Sequence, residues 1–424
     1  MNSDRDCYYM DSIRTFCATR TFRSFFDRSR ADVARSAWMC YTYRTQDNES
    51  LEIWTHFLLQ DHIEMTTSTS LSSKAWVYYE QGPLTETLQQ TTIPIDLPLG
   101  PNEVLVQVKA VALNPVDIQT GYIPQWIANW ILYAGINKAK IPANDFSGVI
   151  HQIGSNVTKY KIGDEVFGLN FSLTGHGCLS QFLKLPENMP SMTHKPANIS
   201  HVEAAAMPLV FLTTYTALHD WGGLINDDTS NEKVLILGAS GGVGHIACQV
   251  ARAMNKHIVG TCSTGNIEFV KQMGANEVID YTREDVLTAS KAYGPYDVIL
   301  DCVGGTELLP YLQSDLFKSN QSIYLTIVGD KTSRAILGGP ASYLFTPSMI
   351  FRSLKSLIGY GPRYYCISLS PTAENTNQMF AMLNKGTIKP IIDSVFKFND
   401  QVKQAYTRLD TSRAKGKIVI DFDQ

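Results

Sequence analysis

Residues 234–250, VLILGASGGVGHIACQV, set an apolar run, a glycine-rich turn and a segment with apolar residues at helical spacing in direct succession. Few folds accept that order. The turn Ala239-Ser240-Gly241-Gly242-Val243-Gly244 follows a strand pattern and opens a helix, giving A-x-G-x-x-G in the setting of a dinucleotide fingerprint. Gly241 lets the backbone approach a pyrophosphate, and Gly244 lets the helix pack close to the sheet. The unpaired N–H groups of the first helical turn, among Ser240, Gly242 and Val243, then face the anion. The competing reading is an ordinary tight turn. Its neighbours argue against it: KVLIL (233–237), HIVGTC (257–262), EVIDY (277–281), YDVILDCV (296–303) and SIYLTIVG (322–329) are short apolar strands separated by helical segments. That alternation predicts an α/β fold with a doubly wound parallel sheet.

The end of the second strand selects the dinucleotide. An NAD site carries Asp or Glu roughly 20 residues past the turn to hold the ribose hydroxyls. This chain has GTCSTGN (260–266), with no carboxylate before Glu268. Ser263 and Asn266 donate hydrogen bonds to a 2′-phosphate that a carboxylate would repel, so the pattern predicts NADPH. Tyr281, at the tip of EVIDY, either lies beside that phosphate or is a strand-end aromatic.

Ahead of this half, from Lys74 to about 190, the texture is β: EVLVQVKAVAL (103–113), SGVIHQIG (147–154) and the Gly-Asp turn in YKIGDEVFGLN (160–170). The last segment, SVFKFNDQVKQAYTRLDTSRAKGKIVIDF, reads strand, helix, strand. At 424 residues and 44% hydrophobic, the chain is long enough for two domains. A net charge of -4 gives no basic field for nucleic acid. The 8 cysteines form no C-x-x-C pair and read as reduced thiols of an intracellular protein, cytoplasmic or mitochondrial. No run reaches the roughly 18 apolar residues that a spanning helix needs. Residues 1–73 are set apart as an extension, disordered or not native. Segment 10–44 has the Arg, Ser and aromatic content of a transit peptide, but Asp11, Asp27 and Asp32 spoil an acid-poor presequence, and Met65 is the alternative start.

ALNPVDIQTGY (112–122), YKIGDEVFGL, AAAMPLVFLTTYTAL (204–218), VLILGASGGVG, MGANEVIDY and SRAKGKIVI, in this order, resemble the medium-chain dehydrogenase/reductase superfamily. They are most similar to its zinc-independent quinone oxidoreductase branch, of the reticulon-interacting mitochondrial type and its fungal relatives. The likeness runs from about Lys74 to the end. It implies a GroES-like β domain over 74–203, to which 388–424 return, around a Rossmann NADPH-binding domain over 204–387. It also implies cofactor roles for Ser240 to Gly244, Ser263 and Tyr281, for Thr213 of T-x-Y-x-A-L near the nicotinamide, and for Arg413 and Lys415 of the basic C-terminal motif.

Zinc members of that superfamily place a cysteine where this chain has Asn114, and a His-Glu pair where it has Asn144-Asp145. His176 and Cys178 are a close pair without a third ligand, so no metal is expected. Without a Lewis acid, alcohol oxidation is hard; hydride transfer from NADPH to a quinone or an α,β-unsaturated carbonyl asks only for a stacked acceptor and a hydrogen-bond donor. Asn114 offers an amide donor and Tyr122 a phenol that protonates or orients the product; NPVD is equally a good turn sequence, and solvent is another proton source. The alternative function is an NADPH-binding accessory or sensing protein with little turnover. Segment 335–365, apolar with a few Arg and Lys, contains PSMIFRSLKSLIG, which reads either as core and homodimer-edge packing or as an amphipathic helix in peripheral contact with a membrane or lipid droplet.

Overall fold

The computed structural model describes residues 71–123, 139–172, 175–225, 231–330, 346–367, 369 and 371–423, all within one compact unit, Ser68–Gln424. Met65, segment 10–44 and the part of 335–365 before Thr346 lie outside the described residues, as does all but the last three residues of the 1–73 extension. The first strand begins at Leu71, ahead of the expected Lys74.

Two sheets organise the unit. The first to be met in the chain holds β3 (Glu103–Leu113), β4 (Asp145–Ile153), β5 (Glu165–Leu169), β6 (Phe182–Pro186) and β7 (Met192–His194), with β1 (Leu71–Val77) and β2 (Gln89–Ile95) forming a separate hairpin. Within β3, Val104, Val106 and Val108 alternate inward as the sequence pattern requires, and the next turns of the strand are buried on both faces. The second sheet contains β8 (Lys233–Leu237), β9 (His257–Cys262), β10 (Glu277–Asp280), β11 (Val298–Asp301), β12 (Ile323–Thr326) and β13 (Arg363–Cys366). Its order is β10-β9-β8-β11-β12-β13, parallel throughout, so the chain reverses direction of travel between β8 and β11. In open α/β sheets that switch point is where ligands bind. The remaining strands, β14 (Ile392–Lys397) and β15 (Lys417–Asp421), return to the first sheet, β15 pairing antiparallel with β3.

The helices that matter for the site are α1 (Pro115–Gly121), α2 (His201–Ala205), α3 (Pro208–Tyr215), α4 (Gly242–Ala253), α5 (Ile267–Met273), α6 (Val286–Tyr293) and α7 (Pro347–Leu357). Ser200 and Glu203 cap α2 reciprocally, and the Asp285 side chain accepts from Thr288 N at the start of α6. α4 buries Ile246, Ala247, Val250 and Ala251 against the second sheet. That core continues through α3 to Phe167 and Leu169 of β5, so one hydrophobic cluster spans both lobes.

Candidate cofactor and active site

β8 is followed by Gly238, whose φ of 77° suits a residue without a side chain; a Cβ there would lie 2.9 Å from Val303 Cγ2. The turn therefore begins one residue before the expected motif. Gly241 is the N-cap of α4, and its N–H donates to Gly238 O at 3.0 Å. Gly244 passes so near that a Cβ would stand 2.2 Å from Gly238 O, which makes it the close-packing glycine of the motif. Gly241 has more room, with 3.4 Å to the same oxygen. The first-turn N–H groups of Gly242, Val243 and Gly244 precede any intrahelical acceptor. His245, buried one residue later, has its Nδ1 2.9 Å from Gly241 O and accepts at Nε2 from Ile391 N at 3.2 Å.

The candidate ribose end gathers residues from four segments. Asn266 Nδ2 donates to Ser240 Oγ at 3.3 Å and to Ser263 Oγ at 3.2 Å. Asn266 Oδ1 is buried with no partner among the described residues, an orphaned acceptor that suits a ribose hydroxyl. Lys415 Nζ reaches Gly265 O at 3.2 Å, which brings the C-terminal motif over the 263–266 loop. Tyr281 is exposed beside it, its N–H on Cys262 O at 3.1 Å, and Arg413 is exposed on the Lys415 segment. One carboxylate escaped the sequence reading: Asp280, at the end of β10, accepts from Thr264 Oγ1 and from Thr282 Oγ1 at 2.6 Å. Those hydroxyls hold its carboxyl below the usual range.

The candidate nicotinamide end is built differently. α3 runs along α4, with Val210 Cγ1 3.7 Å from the position of a Cβ on Gly242, and Thr213 lies almost one turn further on that face. Opposite, Asn114 caps α1 and its backbone N–H donates to Asp117 Oδ2 at 2.7 Å. Asn144 Nδ2 donates to Asp117 Oδ1, and Asn114 Nδ2 to Asp145 Oδ2 at 2.8 Å. Asp145 Oδ1 accepts from Leu209 N at 2.8 Å, which ties β4 to the start of α3. Lys417 closes the cluster: its ammonium donates to Asn114 Oδ1, to Asp145 Oδ2 at 3.2 Å and to Leu113 O at 3.2 Å. Its stem passes the phosphate turn, Cδ lying 3.5 Å from a Cβ on Gly242. Burial pushes the Asp117 carboxyl up to about 7 and raises that of Asp145 as well, against the ammonium beside it.

This geometry corrects one expectation. Asn114 is 1% exposed, and its amide hydrogens go to Asp145 and, at 3.4 Å, to Ala112 O, so it has no hydrogen to offer a substrate. Tyr122 caps the far end of α1, half-buried against the core of the β lobe, a helix length from Asn114. His176 is exposed while Cys178 is buried with its thiol on Asn144 O at 3.2 Å. Among the described residues no three His, Cys, Asp or Glu side chains gather as a metal site. Two neutral amides and a carboxylate already facing an ammonium do not suit zinc.

Residues 100–196 match the Alcohol dehydrogenase GroES-like domain and residues 273–420 the Zinc-binding dehydrogenase family. Over 371 residues the chain is 32% identical to the mitochondrial NAD(P)H oxidoreductase RTN4IP1 of Bos taurus, covering 85% of this chain and 91% of that protein. The chain belongs to the medium-chain dehydrogenase/reductase superfamily, in its quinone oxidoreductase-like branch. The chloroplast envelope quinone oxidoreductase homolog of Arabidopsis thaliana is 32% identical to this chain over 339 residues, 79% of this chain and 94% of that one. The Escherichia coli quinone oxidoreductase complexed with NADPH shares the fold, with a TM-score of 0.64, 22% identity and coverage of 82% and 100%. This medium-chain dehydrogenase/reductase is thus an oxidoreductase that works with a nicotinamide cofactor. Lys417 is the site residue that sequence reasoning missed. A lysine at the first position of a strand looks like a solvent-facing residue, and its partner Asn114 is 303 positions away.

Proposed function

We propose that this protein is an NADPH-dependent reductase that delivers hydride to a quinone or an α,β-unsaturated carbonyl, without zinc. The carrying observation is the ribose end, where hydroxyl, amide and ammonium donors converge on one loop and the nearby carboxylate is already tied to threonines. The bound dinucleotide supplies the hydride. The first turn of α4 holds the pyrophosphate; Ser263 and Lys415 donate to the 2′-phosphate, with Tyr281 and Arg413 at its rim; Asn266 orients the Ser240 and Ser263 hydroxyls and offers its Oδ1 to a ribose hydroxyl; Thr213 orients the nicotinamide end. Asn114 acts through Lys417 and Asp145, as a positioning residue for the wall against which the acceptor stacks. The product takes its proton from Tyr122 or from solvent. The mitochondrial name of the RTN4IP1 relatives favours that compartment here.

The test is NADPH oxidation by metal-free protein with a panel of small quinones and enones, NADH as control and Gly241→Trp as blank. Turnover that prefers NADPH and vanishes in the blank is the expected result. Tight NADPH binding with no turnover of any acceptor would instead favour the accessory or sensing role, which the saturated hydrogen bonding of Asn114 supports. A preference for NADH would overturn the reading of the 263–266 loop.

A further inference from the structure

The tip of β10 carries a carboxylate beside the position that selects the dinucleotide. In the parallel register Asp280 lies opposite Cys262, the last residue of β9, so it stands one strand away from where an NAD site keeps the acid that holds the ribose hydroxyls. The acid is present, but it is covered. Thr264 donates from Oγ1 to Asp280 Oδ2, and Thr282 donates to Oδ1 from its hydroxyl at 2.6 Å and from its backbone N–H at 3.0 Å. The two hydroxyl oxygens lie 2.9 Å apart. Asp280 is 4% exposed while both threonines are exposed, so the threonines cover the charge from the solvent side. Arg283 adds little, since its Nε is 3.8 Å from Oδ2 and its side chain is 73% exposed. The neighbouring acid, Glu284, is turned back to accept from Asp280 N at 3.0 Å.

Thr264 belongs to the loop assigned above to the 2′-phosphate. Ser263 precedes it, Asn266 donates to the Ser263 and Ser240 hydroxyls, and Lys415 reaches Gly265 O. We propose that Thr264, together with Thr282, sets the choice between the two dinucleotides by tying the Asp280 carboxylate away from that loop; the proposal rests on the NADPH reading of the site. A carboxylate whose lone pairs are taken by hydroxyl donors has its charge offset by their dipoles and its position fixed. Without the Thr264 hydroxyl, Oδ2 loses its donor on the loop side, and the bare anion repels a 2′-phosphate while accepting from the free 2′-hydroxyl of NADH. One hydroxyl thus separates a site that selects NADPH from one that tolerates NADH. Thr264 and Asp280 act through the loop and are positioning residues for this selection.

Titration of the full chain with NADPH and with NADH, followed by the fluorescence of the bound nucleotide, tests the proposal without an acceptor. Thr264→Val should weaken NADPH by about fivefold and leave NADH within about twofold of the parent, a smaller change than adding a new charge would make. The loss should shrink as salt is raised. Adding Asp280→Asn to Thr264→Val should restore NADPH binding, because the uncovered group is then neutral, and Thr264→Ser, which keeps the hydroxyl, should match the parent. Thr264 is exposed, so an unchanged melting temperature and the retained NADH affinity show that the variants fold. A threonine that merely shapes the loop would weaken both dinucleotides together and would not be rescued by Asp280→Asn; either result overturns the proposal. A parent that prefers NADPH with Thr264→Val unchanged overturns the proposal alone and leaves the NADPH reading standing. A parent that binds NADPH and NADH equally overturns both.

Discussion

The two ends of the proposed cofactor groove are made of different material. At the ribose end, short polar side chains stand half-exposed at the tips of β8, β9 and β10 and touch one another through a few long hydrogen bonds. At the nicotinamide end, Asn114, Asp117, Asn144, Asp145 and Lys417 form a buried cluster in which every carboxylate oxygen has a donor. Single substitutions at the first end are expected to leave the fold alone. The second is bound up with the fold, because its members sit where β3, β4, α3 and β15 meet.

That contrast predicts its own largest effect. Lys417 and Asp145 are 2% and 0% exposed in their side chains, so Lys417→Met would leave a buried carboxylate without its cation. The expected loss is about 3–5 kcal/mol of stability, read from denaturant midpoints. Adding Asp145→Asn to the same chain should recover part of it, since the amide carries no charge to strand. A single variant as stable as the parent would show that the cluster is looser than its geometry implies.

A smaller effect, read by pH, comes from two buried groups, His245 beneath the glycine turn and Asp117 in the cluster. The His245 ring fits its site as the neutral form, donating from Nδ1 to Gly241 O and accepting at Nε2 from Ile391, and burial lowers its pKa to about 4. Its contribution is whole above the unfolded value of about 6.5 and is lost as pH falls toward 4, amounting to about 3 kcal/mol at most. Asp117 works in the other direction: with its carboxyl raised to about 7 by burial, the folded state takes up a proton that the unfolded chain leaves off until about pH 4, which adds stability over that window. Stability measured by urea denaturation from pH 7.5 to 4.5 should fall less in His245→Gln than in the parent, and more in Asp117→Asn. Parallel curves for all three chains would remove both assignments.

How much of this was legible follows the same division. The glycine turn, β8 to β12 of the second sheet and the helix over 347–357 were readable, because each is a run of neighbours whose period or turn chemistry is local, whereas the edge strand β13 was hidden in the apolar segment 335–365. Ser240, Ser263 and Tyr281 were placed with them, since they stand where strands end; their cofactor roles belong to the proposed function. Gly238 was missed by one position because the fingerprint starts at Ala239 here, and only the backbone angle shows which residue makes the turn. Lys417 and the engaged amide of Asn114 were out of reach. NPVD and KGK carry no mark of each other across 303 positions, and only β15 pairing with β3 brings them together.

The smallest expected effects lie at the ribose end, and they decide how sharply it selects its cofactor. Lys415 is exposed and bonded only loosely to the loop, so Lys415→Glu should leave the melting temperature within about a degree of the parent while placing a negative charge beside the 2′-phosphate. In water-exposed surroundings that change is worth about 1–2 kcal/mol, and kcat/KM for NADPH should fall about tenfold with NADH little affected. The loss should shrink as salt is raised, because the charges involved are screened. Tyr281→Ala, which removes a flat neighbour and no charge, should cost about threefold and show no salt dependence. If both variants instead lowered NADPH and NADH turnover alike, the 263–266 loop would be binding the parts that the two dinucleotides share, and the contrast between a selective ribose end and a structural nicotinamide end would have to be redrawn.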